Sequence, residues 1–131
     1  MKMHFSRTLI LAFSVITLFS GCAVAQDQRG DIAGGDWQVM FVELGSKRCI
    51  PCKMMQPVMA SIEKDYAGKV KVVFYDVWTE EGKPYGQKYG IQAIPTQVFL
   101  DKSGNEFYRH TGFLAKNLIV DLLEKQGVTK Q

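Results

Sequence analysis

Two cysteines three positions apart, Cys49 and Cys52, are the residues of this 131-residue chain best suited to covalent chemistry. They stand among basic residues in Lys47-Arg48-Cys49-Ile50-Pro51-Cys52-Lys53. Such a pair has four common uses: half of a metal site, a haem anchor, a structural staple, or a disulfide made and broken in turnover. A structural zinc site takes four Cys or His ligands. Past residue 25 the chain offers two Cys and one His, His110, with no carboxylate cluster to complete a set. No metal site and no cofactor are therefore expected. Haem attachment reads C-x-x-C-H, and Lys53 holds the His position. As a staple the pair would close a very small loop and restrict the unfolded chain little. Thiol–disulfide exchange is the use these counts favour.

A second group with chemical potential is Glu43, the one charge in the apolar run Trp37 to Leu44 (WQVMFVEL), six residues before Cys49. If the run is a buried strand, the carboxyl is desolvated and its pKa rises. If the strand end emerges, the carboxylate is merely solvated. Both readings stay open on the residues alone. Trp78, Tyr85 and Tyr89 fit packing positions better than a site, as the methionines Met54, Met55 and Met59 fit helix packing, and His110 fits a surface or edge position.

These groups must be held by surrounding elements. The run WQVMFVEL is apolar at both parities, which predicts a central strand covered on both faces. After the cysteines, Met55, Val58, Met59, Ile62 and Tyr66 recur at helical spacing; Pro57 should kink that helix and Gly68 end it. Val70 to Val77 (VKVVFYDV) reads as a second strand. Residues 79–89 leave room for a short helix around Tyr85 to Tyr89. Thr96 to Leu100 and Glu106 to Thr111 form a hairpin about Asp101-Lys102-Ser103-Gly104. Leu114, Leu118, Ile119, Leu122 and Leu123 mark an amphipathic C-terminal helix stopped by Gly127. The order β-α-β-α-β-β-α, a crossover and then a hairpin, predicts an α/β fold with a mixed sheet.

The chain opens differently. Lys2 and Arg7 precede an eleven-residue apolar run, Leu9 to Phe19. A membrane-spanning helix needs about 20 residues, so the run fits the core of a secretory signal. Ala23-Val24-Ala25 suits cleavage before Gln26, giving a signal over 1–25. Phe19-Ser20-Gly21-Cys22 instead resembles a lipobox, with a signal over 1–21 and Cys22 lipidated. The first is slightly favoured, since Leu18 lies one place early for a lipobox. Either product lies outside the cytoplasmic membrane, in the periplasm or an equivalent space, and is membrane-attached only if Cys22 carries lipid. Residues 26–36 read as a polar lead-in, and 37–131 as one small domain. The signal holds two of the 16 basic residues and none of the 13 acidic ones, so the remainder is nearly neutral. No basic patch points to nucleic acid as a partner.

Three separated motifs resemble the thioredoxin superfamily over roughly residues 37–126. They are Cys49-Ile50-Pro51-Cys52-Lys53 with Pro57 beyond it, Tyr89-Gly90-Ile91-Gln92-Ala93-Ile94-Pro95-Thr96, and Thr111-Gly112. The resemblance implies a thioredoxin-like fold, with about four strands in a mixed sheet flanked by helices. The short lead-in implies a trimmed N-terminal strand and helix. It also implies that Pro95 is cis and lies against the cysteines, with Ile94 offering its backbone to an extended substrate. The family's buried acid corresponds to Glu43. Arg48 departs from the tryptophan usual before the first cysteine, and no lysine occurs in Val72 to Trp78.

A helix start at the Cys pair sets the chemistry. Its unpaired N–H groups and dipole favour a thiolate on the first cysteine. Cys49 is then the attacking thiol and Cys52 the resolving one, with Glu43 accepting the Cys52 proton. Ile50 and Pro51 are expected to bind substrate together with Ile94 and Pro95, and they also tune the potential; Pro51, Lys53 and Ile94 match the reductants of the family, while Arg48 pulls the other way. The expected function is an exported disulfide reductase acting on exported proteins, fed by a membrane thiol carrier. A dithiol oxidase or isomerase is the alternative within the fold. A redox-inactive binding module using the Ile94-Pro95 surface is the alternative outside it.

Overall fold

The computed structural model describes residues 35–131. The signal segment, Cys22 and the lead-in up to residue 34 lie outside the described residues. Seven elements follow in order: β1 (Val39–Gly45), α1 (Ile50–Asp65), β2 (Val70–Asp76), α2 (Lys83–Lys88), β3 (Thr96–Asp101), β4 (Glu106–Thr111) and α3 (Lys116–Lys125). This is the expected β-α-β-α-β-β-α order.

The four strands form one mixed sheet in the order β2-β1-β3-β4. Strand β1 pairs parallel with β2, Val39 opposite Val70 through Gly45 opposite Asp76. Its other edge pairs antiparallel with β3, with Leu44 opposite Thr96 and Glu43 opposite Gln97. A parallel pair needs a crossover, which α1 supplies, whereas β3 and β4 are joined by a tight turn. Asp101 accepts backbone hydrogen bonds from Ser103 (2.8 Å) and Asn105 (2.9 Å) in that turn. Every residue of β1 is buried, as the apolar run at both parities requires.

Alternation along β1 divides the core. Val39 and Phe41 face α1 and α3, packing with Met55, Met59, Ile62, Phe99, Ile119 and Leu123. Phe41 stacks on Phe99 with ring centroids 4.7 Å apart. Met40, Val42 and Leu44 face the other way, with Val98 and Leu100, beneath Tyr75 and Tyr85. Those two tyrosines stack at 3.6 Å, so Tyr85 is a packing residue.

Two boundaries differ from the sequence reading, those of α2 and β1. Helix α1 runs from Ile50 to Asp65 with Pro57 inside it, as expected. Its buried stripe of Cys52, Met55, Met59 and Ile62 lies against the sheet, while Pro57 is exposed. Helix α2 begins at Lys83, two residues early, because Pro84 sits in its first turn, where a fixed φ and a missing N–H cost nothing. Strand β1 begins at Val39 rather than at Trp37, which is buried against the second core.

Candidate active site

The Cys pair sits where β1 hands over to α1. Cys49 is the N-cap of α1, in extended conformation, and its sulfur accepts a hydrogen bond from the Cys52 N–H (3.4 Å). Pro51, in the first turn, suits a position where no N–H is needed. The Cα atoms of Cys49 and Cys52 are 5.2 Å apart and the two residues are joined as a disulfide. The pair is asymmetric: Cys52 is fully buried, Cys49 is only partly so, and Ile50 beside it is 73% exposed. A helix N-terminus stabilises negative charge on its cap, and here the cap is the accessible sulfur.

The loop delivering Cys49 is pinned from below. The Asp76 carboxylate, at the end of β2, accepts from the backbone N–H groups of Lys47 (3.1 Å) and Trp78 (3.1 Å). The Lys47 N–H, first of these, holds its pKa below the ordinary carboxylate value. Buried Ser46 receives the Arg48 N–H on its hydroxyl at 3.2 Å. Gly45 precedes this loop, and a Cβ there would stand 3.2 Å from the Cys52 sulfur and 3.3 Å from the Phe74 ring. A side chain there would press on both, by a few tenths of an ångström.

Glu43 is wholly buried, so the solvated alternative does not describe its position. It shares its sheet face with Phe41 and Gly45, and its parallel neighbour on β2 is Phe74, an apolar residue. Burial pushes its carboxyl up to about 8, against a smaller lowering by the Gln97 carboxamide. Neither carboxyl oxygen has a well-formed hydrogen bond.

Ile94 and Pro95 lead directly into β3, and the Ile94–Pro95 peptide is cis. Because Thr96 pairs with Leu44, this segment lies at the same end of the sheet as Gly45 and the cysteines. The Pro95 carbonyl accepts from the Gly112 N–H (2.8 Å), and the Thr96 hydroxyl donates to the Ala93 carbonyl (2.8 Å). Gly112 has φ of +101°, a conformation glycine adopts freely. Beside Ile94 a groove of ≈ 670 Å³ runs along α2, lined by Trp78, Lys83, Gln87, Ile91 and Ala93 among others.

The structure thus gathers Cys49, Ile50, Pro51, Cys52, Glu43, Ile94 and Pro95 at one end of the sheet. Cys22 lies outside the described residues. His110 is partly buried, its ring nitrogen 3.3 Å from the Phe113 carbonyl, and Met55 and Met59 belong to the core. Trp78 does not pack as expected: it is 54% exposed, with the Arg48 guanidinium 5.5 Å from its ring. Asp76, Gly45 and Gln97 were not singled out by sequence reasoning. Gln97 carried a signal, being the polar interruption of TQVFL, but its meaning depends on the β1–β3 register.

Comparison with known proteins gives the same picture. The thioredoxin family model matches residues 29–125. The thioredoxin of Pseudomonas aeruginosa is 34% identical over 94 residues, covering 72% of this chain and 83% of that one. The thioredoxin of Rickettsia felis is 34% identical over 86 residues, covering 66% and 79% respectively. Among solved structures, a thioredoxin from Nicotiana alata superposes with a TM-score of 0.58 at 30% identity, covering 68% of this chain and 73% of the other. A buried cysteine beside an accessible one at a helix start, in a chain with these relatives, has one chemical use: the chain belongs to the thioredoxin family and is a thiol–disulfide oxidoreductase.

Proposed function

We propose that this protein is an exported disulfide reductase that acts on disulfides of exported proteins. The supporting observation is the asymmetry of the pair: an accessible Cys49 capping α1 and a Cys52 sealed beneath it. In the reaction, the Cys49 thiolate attacks one sulfur of the substrate disulfide, and the other substrate sulfur leaves as a thiolate. Cys52 then gives its proton to the Glu43 carboxylate and attacks the Cys49 sulfur. The Cys49–Cys52 disulfide forms and the second substrate sulfur is released, so two electrons pass to the substrate. With a midpoint of about 8, about a tenth of Glu43 is ionised at pH 7, enough to serve as an acceptor near neutrality. Exposed Ile50 and the Ile94 backbone receive an extended substrate strand, main chain to main chain. The oxidised protein is reset by a membrane thiol carrier, since the signal-like residues 1–25 direct the chain out of the cytoplasm.

The reduction potential of the Cys49–Cys52 couple tests the direction of electron flow. A reductase lies near the thioredoxin value of about −270 mV; a value near about −120 mV would make the protein an oxidant instead. Insulin reduction by dithiothreitol, with and without the protein, is the companion assay. Mass spectrometry of the secreted N-terminus distinguishes a start at Gln26 from a lipidated Cys22.

A further inference from the structure

Gln97 is a fully buried polar residue, the second of strand β3, and the reaction above gives it no task. Its Cα partner across the antiparallel β1–β3 pair is Glu43. Directly opposed residues project to the same face with Cβ atoms about 5 Å apart. The Gln97 amide nitrogen donates to the Gly112 carbonyl at 3.1 Å. That bond fixes the orientation of the carboxamide, because the reversed group would set two oxygens against each other. One N–H and Oε1 then remain, and Oε1 has no partner; both Glu43 oxygens also lack one. Three unpaired oxygens and a spare donor thus occur on neighbouring buried side chains.

We propose that Gln97 is a positioning residue for Glu43, pairing with its carboxyl in both protonation states and tying it to the Gly112–Pro95 segment that receives the substrate. The spare N–H donates to the carboxylate, and Oε1 accepts from the carboxylic acid, so one carboxamide serves both without moving away. An aliphatic residue at 97 would leave the carboxyl without a partner in either state. The far end of the amide holds Gly112, whose N–H in turn holds the Pro95 carbonyl. Substrate docking at Pro95 and proton acceptance at Glu43 are thereby joined through one side chain.

The other elements packed on this face present few competing groups. Strand β2 offers Phe74. Helix α1 offers Cys52, and its N-cap is Cys49. Strand β4 offers His110, opposite Gln97 and engaged with Phe113, and α3 offers Lys116, paired with Asp65 at 2.7 Å.

The inference rests on the proton role of Glu43, and the test separates the two. In the oxidised protein, where the cysteines do not titrate, NMR follows the Glu43 side-chain carboxyl and the Gln97 side-chain amide from about pH 5 to about pH 10. Both are expected to move with one midpoint, and in Gln97→Leu the Glu43 midpoint rises by about 0.5–1 pH unit, because the hydrogen bond lost by the carboxylate is worth about twice the one lost by the neutral acid. The pH profile of insulin reduction should rise to higher pH by the same amount. A Gln97 amide insensitive to the Glu43 titration overturns the inference from the wild-type protein alone, whether or not the variant folds. So does a Glu43 midpoint unmoved in a folded Gln97→Leu. If Glu43→Gln leaves the pH–rate profile unchanged, the proton role fails, while the pairing is still decided by the NMR midpoints.

Discussion

Removing the ionisable group at position 43 changes how stability depends on pH, and the size follows from burial. In the unfolded chain a glutamate titrates near 4.5; in the fold Glu43 is raised to about 8. Between those values the folded state holds a proton that the unfolded state has lost, so stability falls as pH rises through the window. The loss begins near the unfolded value and is complete above the folded one. A gap of about 3.5 pH units corresponds to a limit of about 5 kcal/mol, of which about 3 kcal/mol has accumulated by pH 7. Asp65, Asp76, Asp101 and Glu106 have lowered pKa values. Their contributions are lost only as pH falls below the ordinary carboxylate range. Tyr66 is raised above its ordinary 10.0 by burial and acts only in stronger alkali. Urea unfolding of the oxidised protein at several pH values from about 5.5 to about 9 therefore isolates Glu43. Wild type should lose several kcal/mol across that range, and Glu43→Gln should lose far less. Parallel curves for the two proteins would refute a desolvated carboxyl at this position.

Other outcomes follow from the loop and the strand beneath the cysteines. Asp76→Ala leaves the Lys47 and Trp78 N–H groups without their acceptor, so it should cost about 1–2 kcal/mol in urea unfolding, with most of the difference disappearing once Asp76 is protonated at low pH. Gly45→Ala places a methyl 3.2 Å from the Cys52 sulfur; overpacking of about 1–3 kcal/mol is expected in denaturation of the oxidised protein. Phe41→Ala removes a ring stacked on Phe99 and should cost about 3–5 kcal/mol by the same measurement.

Much of this site was legible in the chain itself because its parts are local. The i, i+3 spacing of Cys49 and Cys52 at a strand-to-helix junction is a property of consecutive residues, as is the apolar run that makes β1 central. Ile94-Pro95-Thr96 was recognised by resemblance rather than derived. What could not be read depended on pairing between distant strands. Whether Glu43 was buried turned on which residues flank it on β2 and β3, and those are Phe74 and Gln97. Gln97 gained a meaning only when the antiparallel register set it opposite Glu43. Asp76 carries no local sign of its role, because only the parallel pairing with β1 brings its carboxylate under the Lys47 N–H, 29 residues earlier. Trp78 was misjudged for a related reason, since the Arg48 that lies over it belongs to a different loop.

The division of labour between the cysteines is the central claim, and trapping the mixed disulfide tests it most directly. Cys52→Ser and Cys49→Ser are each incubated with a disulfide substrate such as oxidised glutathione or insulin, and the adducts are mapped by mass spectrometry. Cys52→Ser should accumulate a stable mixed disulfide through the accessible Cys49, while Cys49→Ser, left with a wholly buried sulfur, should form almost none. An adduct that forms readily through Cys52, or none through Cys49, would contradict the account.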